Sequence, residues 1–118
     1  MTTQEIANRL SELLKENKWT QIQEELFSEN AKSIEPAHSQ GMQSVEGLEN
    51  IKKKGEAFDE MVEEMHGGWA SEPIVGGNFI AVSMGMDVTF KGMERTKMEE
   101  IALYEVKDGK IVREEFFY

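Results

Sequence analysis

The chain has 118 residues, 39% of them apolar and 31% charged, with no cysteine and with 13 basic against 23 acidic groups, for a net charge of −10. That size fits one domain able to bury a core. The acidic surplus argues against nucleic acid or anionic lipid as a partner, and the lack of cysteine excludes disulfides, thiolate catalysis and cysteine-ligated zinc. Met1 leads straight into Thr2-Thr3-Gln4-Glu5, without a basic start or an apolar h-region. No run approaches the roughly 20 apolar residues that span a bilayer, so the expectation is a cytoplasmic protein with no membrane contact.

Thr2 and Glu5 have capping-box spacing, and Ile6, Leu10, Leu13 and Leu14 follow at the helical period. Trp19, Ile22, Leu26 and Phe27 fit a short second helix that begins after Asn17-Lys18 and is anchored by Trp19. Ala31 to Glu35 is an extended segment stopped by Pro36, since proline forces its predecessor out of helical geometry. The polar stretch 37–43 reads as a loop. Ser44 then caps a third helix with the stripe Leu48, Ile51, Phe58, Met61, Val62 and Met65, ending at His66. Gly55 interrupts that helix at about 1 kcal/mol relative to alanine, a hint of close packing.

From Gly67 the period changes to two. Trp69 to Val75 reads as a strand closed by a Gly76-Gly77-Asn78 hairpin. Ile80, Val82, Met84, Met86, Val88 and Phe90 line one face of a long strand. Lys91-Gly92 turns into a strand over about Arg95–Val106, and Lys107-Asp108-Gly109-Lys110 turns into a last strand over Ile111–Tyr118. The order α-α-β-α-β-β-β-β, helices ahead of an antiparallel meander, is that of an α+β domain covering 1–118.

Three passages carry a family resemblance. Leu26-Phe27-Ser28-Glu29-Asn30-Ala31 leads from the second helix into the first strand; Ile34-Glu35-Pro36 precedes a loop and Val45-Glu46-Gly47-Leu48; and Tyr104-Glu105-Val106-Lys107-Asp108-Gly109-Lys110-Ile111-Val112 forms the final hairpin. Their order and spacing resemble the nuclear-transport-factor-2-like superfamily, in its SnoaL-like polyketide cyclase and ketosteroid isomerase branch. The resemblance implies a cone-shaped, cystatin-like roll: three helices packed on a strongly bent antiparallel sheet, with an apolar pocket on the concave face and a homodimer through the outer one. It implies a cofactor-free, metal-free protein that moves a proton on, or cyclises, an apolar carbonyl compound. A non-catalytic small-molecule binder and a dimerisation module of the same fold are the alternatives, because this fold hosts all three.

In the isomerase branch the acid before the strand-ending proline is the base, which places that role on Glu35. Apolar surroundings such as Met84 and Phe116 would raise its pKa. The branch's tyrosine and neutral-acid oxyanion hole falls here on Leu10 and on Ile101 or Ala102, which donate no side-chain hydrogen bond. The last strand offers Glu114 as a second acid–base residue, with Val112, Glu114, Phe116 and Tyr118 facing inward. His38, Trp69, Met84, Met86, Phe116 and Tyr118 are the expected ligand contacts, although ordinary core packing is the plainer account of the methionines. Phe79, Ala81, Ala102 and Tyr104 are the outward residues expected at the dimer interface. Two distant histidines give no metal-ligand spacing.

Overall fold

The computed structural model describes residues 1–118. Helix α1 (Thr3–Lys15) begins as the sequence predicts: the Thr2 side chain accepts from the Glu5 amide, and the Glu5 carboxylate accepts from the Thr2 amide. Its apolar stripe, Ile6, Leu10, Leu13 and Leu14, is buried. Asn17, with φ of 56°, breaks the helix in left-handed geometry. Helix α2 (Trp19–Leu26) follows. Only Ile22 and Leu26 anchor it; Trp19, the expected anchor, is exposed at its start. A two-pronged Arg9–Glu25 pair, both contacts 2.7 Å, ties the two helices together at the surface.

Strand β1 (Phe27–Ile34) runs up to Pro36, and the two-residue β2 (Val45–Glu46) pairs with it through Ser33↔Val45 and Lys32↔Glu46. This pairing displaces the expected helix start. The N-cap of α3 (Leu48–Met61) is Gly47, whose φ of 94° suits glycine, while the Ser44 hydroxyl accepts from the Glu35 amide. Helix α3 ends at Met61 rather than His66, and Val62 opens strand β3 (Val62–Ala70). His66 is therefore a strand residue on the outer face, bonded to Thr89 at 2.8 Å. Gly55 meets nothing closer than the Gln23 amide, 3.9 Å from where a Cβ would stand, so close packing does not explain it.

The predicted strand 69–75 divides at Ser71-Glu72-Pro73 into the end of β3 and a short β4 (Ile74–Gly76). Strands β5 (Phe79–Phe90), β6 (Thr96–Lys107) and β7 (Lys110–Phe117) complete a seven-stranded sheet of order β2-β1-β7-β6-β5-β3, with β4 on β5. Asp108 and Gly109, both at positive φ, make the tight β6–β7 turn. The sheet is mixed, not purely antiparallel: β1 runs parallel to β7. The three helices fill its concave side, closing a core that includes Leu10, Ile22, Ile51, Ile80, Val82 and Tyr104. No helix is long and apolar enough to cross a membrane.

Two inward–outward assignments change. Ala102 and Tyr104 face the core, fully buried, and are not interface residues. A bulge shifts the register between Glu105↔Arg113 and Val106↔Ile111, so Ile111 rather than Val112 takes the buried position before Glu114.

Candidate active site

Three side chains lie in register across adjacent strands: Ser33 on β1, Glu114 on β7 and Tyr104 on β6. All three are buried, and Glu114 retains only 7% exposure. Helix α3 lays Lys54 over this row. Its ammonium donates to Ser33 Oγ at 2.8 Å and to Glu35 Oε2 at 2.6 Å, and lies 5.4 Å from the centre of the Phe116 ring. The Lys54 and Glu35 side chains are 10% and 7% exposed, so this ion pair is largely shielded from water. The other oxygen of Glu35 accepts from the Tyr118 phenol at 2.6 Å, and Ser39 Oγ stands 3.0 Å from the same phenol oxygen. His38, exposed in the loop, packs against Tyr118 in a T-shaped arrangement with ring centroids 5.8 Å apart.

Burial sets the electrostatics of this cluster. Desolvation pushes the Glu114 carboxyl up to about 7, against smaller downward pulls from the Ser33 hydroxyl and the Lys54 charge. Glu100, on the inward parity of β6, is likewise pushed up to about 7, first by burial and then by the charges of Glu35 and Glu114. Burial, and then the charges of Glu114 and Glu100, hold the Tyr104 phenol well above its ordinary range. At neutral pH Glu100 and Glu114 are thus each near half-protonation, able to give or take a proton. Lys54 has three N–H donors, two of them occupied, which leaves one for a ligand oxygen. No trio of histidine and carboxylate side chains is arranged to hold a metal ion.

Of the residues expected from the sequence, Glu35, Glu114, Phe116 and Tyr118 meet here, with His38 at the rim. Glu35 is not an acid among apolar walls: a cation and a phenol occupy its two oxygens. Met84 is buried in the core, while Met86 is half-buried between Met98 and Gly68 in the register. Trp69 stands apart. It lies on the outer face across Gly85, where a Cβ would collide with its indole. Lys54 and Glu100 are not among the residues expected from the sequence, though each carries a signal: a charge at a position whose neighbours, Ile51 and Phe58 or Ala102 and Tyr104, belong to an inward face.

A bent sheet wrapped on three helices is the nuclear-transport-factor-2-like, or cystatin-like, class of fold. The SnoaL-like domain family matches residues 1–118, and the chain belongs to that family. A Mesorhizobium loti protein provisionally assigned as a SnoaL-like polyketide cyclase is 36% identical, with 100% of both chains covered and a TM-score of 0.92. A Burkholderia thailandensis protein of nuclear-transport-factor-2-like type shares the fold at 13% identity and TM-score 0.83, over 99% of this chain and 90% of the other. TerC, co-crystallised with polyporic acid, shares it at 15% identity and TM-score 0.76, over 98% and 90%. No curated protein matches the chain.

Proposed function

We propose that this chain is a cofactor-independent acid–base enzyme of isomerase or cyclase type, acting on an apolar carbonyl compound. The observation that carries the reading is Glu114: a buried carboxyl titrating about 7 beside an ammonium with an unused donor. In this scheme the Glu114 carboxylate takes a proton from carbon next to the substrate carbonyl. The electron pair of that C–H bond moves into the enolate, whose oxygen accepts from Lys54. Reprotonation by Glu114 at another carbon gives an isomer; attack of the enolate carbon on a second carbonyl gives a ring, whose new alkoxide oxygen takes the proton back from Glu114. Glu35 then positions Lys54 and Tyr118, and is not itself the base. An oxyanion partner of this kind commonly supplies the largest share of the rate, here in place of the side-chain donors missing at Leu10 and Ala102. TerC's co-crystallisation with polyporic acid fits a small-molecule ligand in this fold.

The test is hydrogen exchange. A panel of cyclic ketones, some uncharged and some bearing a carboxylate, is incubated with the protein in heavy water, and deuterium uptake is followed by NMR. Uptake should rise with pH through about 7, as Glu114 ionises, and Glu114→Gln should abolish it. No uptake above buffer, or full uptake by Glu114→Gln, would leave the non-catalytic binder in its place. A homodimer through the outer sheet face completes the proposal, supported by the exposed Trp69, Phe79, Ile101 and Phe117.

A further inference from the structure

An open groove of about 320 Å³ runs between the 41–45 segment and α3, lined by Gly41, Met42, Gln43, Val45, Asn50, Lys53, Lys54 and Ala57. Its charge is the reverse of the chain's. Acids outnumber bases 23 to 13 overall, yet this wall holds two lysines and no acid. Lys54 is shared with the inner cluster, where two of its three donors go to Glu35 and Ser33. Lys53, the neighbouring residue, is exposed and makes neither an ion pair nor a side-chain hydrogen bond, whereas Lys52 on the same helix reaches Glu24 at 3.5 Å. Met42, Val45 and Ala57 supply an apolar floor between these polar groups.

We infer that this groove is a subsite for an anionic substituent of the ligand, such as a carboxylate or an ionised enol, with Lys53 as its counter-ion. The inference rests on the reading of the inner cluster as the reacting site. Glu35, Glu100 and Glu114 make the interior inhospitable to a second negative charge, so an acidic group of the substrate has to stay outside while its carbonyl end reaches Lys54. The groove adjoining Lys54, whose lining carries no carboxylate, is where it stays. The substrate class is then an apolar carbonyl acid rather than a neutral ketone.

Two fluorescent probes with one aromatic skeleton, anilinonaphthalene sulfonate and uncharged phenylnaphthylamine, separate charge from apolar contact. The unmodified protein should bind the sulfonate about two- to fivefold tighter at low ionic strength, the range expected of one exposed ion pair. That preference runs against a net charge of −10. It should vanish at about 1 M salt, where the screening length falls to about 3 Å, and in Lys53→Gln, and should persist in Lys53→Arg. Equal affinity for the two probes, no binding of either, or a preference surviving Lys53→Gln would overturn the subsite. Probe binding needs no turnover, so a failed deuterium exchange with an intact preference would overturn the catalytic reading alone.

Discussion

Replacing Glu114 by glutamine is expected to stabilise the protein at alkaline pH and to do nothing for it in acid. The glutamate is buried, and burial is the main reason its carboxyl titrates about 7 instead of near 4.5. Below 4.5 the group is protonated whether the chain is folded or not, and it takes nothing from stability. Between 4.5 and 7 the unfolded chain releases this proton while the folded chain keeps it, so stability falls as pH rises. Above both values the accumulated loss is about 3 kcal/mol, at 1.36 kcal/mol for each pH unit separating the two states. Glutamine keeps the shape and cannot ionise. Urea melts of the two proteins at pH 4.5 and at pH 8.5 should therefore coincide in acid and separate by about 3 kcal/mol in base, with the variant the more stable. Acids away from the cluster cancel in the difference, while Glu100, relieved of the Glu114 charge that helps push it up, shifts the variant further in the same direction. A variant less stable than its parent at pH 8.5, or a difference that does not change with pH, would refute the claim that desolvation of Glu114 dominates its environment. Stabilisation joined to lost deuterium exchange is the pattern expected of a carboxyl kept for its chemistry.

Lys54→Met should cost about 3–5 kcal/mol near neutrality, because it leaves the buried Glu35 without its cation; carbon NMR of Glu114 in the same variant should show its titration moved further upward, since Lys54 draws it down. Gly85→Ala should cost about 1–3 kcal/mol in denaturant melts, as the new Cβ would stand 2.8 Å from the Met98 carbonyl oxygen and displace the Trp69 indole. Met84→Ala should cost about 2–5 kcal/mol and the half-buried Met86→Ala clearly less; equal losses would contradict their different burial. Light scattering at micromolar concentration should give twice the 13.5 kDa chain mass, and a monomer would remove the proposed dimer.

Local signals were legible wherever one residue type decides the backbone. The Thr2 capping box, the Pro36 strand stop and the Asp108-Gly109 turn all form as their chemistry requires. Alternation alone was a weaker guide. It placed Glu114, Phe116 and Tyr118 correctly, but a single bulge at Val112 reversed the parity before them, and bulges leave no mark in the apolar pattern. Ala102 and Tyr104 were misassigned to the outer face because a small residue and a tyrosine suit either side of a sheet. The end of α3 was overrun because Val62 and Met65 continue its stripe, while their β3 pairing with β5 is a tertiary decision. Lys54 was the costliest omission: within Lys52-Lys53-Lys54 nothing but its place three residues after Ile51 and four before Phe58 distinguishes it from a solvated neighbour.

The parallel pairing of β1 with β7 has a consequence for how the molecule assembles. The Tyr118–Glu35 bond joins residues 83 apart in the chain, and Lys54 and Ser33 come from the first half while Glu100 and Glu114 come from the second. Contacts of such long sequence separation are slow to form, since the loop they close must be ordered before they repay it. Helices α1 and α2 and the β5–β6 and β6–β7 hairpins are local and can precede them. A folding intermediate in which β1 and α3 have not yet docked on β7 would leave Glu114 in water, titrating as an ordinary carboxylate. The proton chemistry would then be the last property the chain acquires on folding and the first it loses on unfolding.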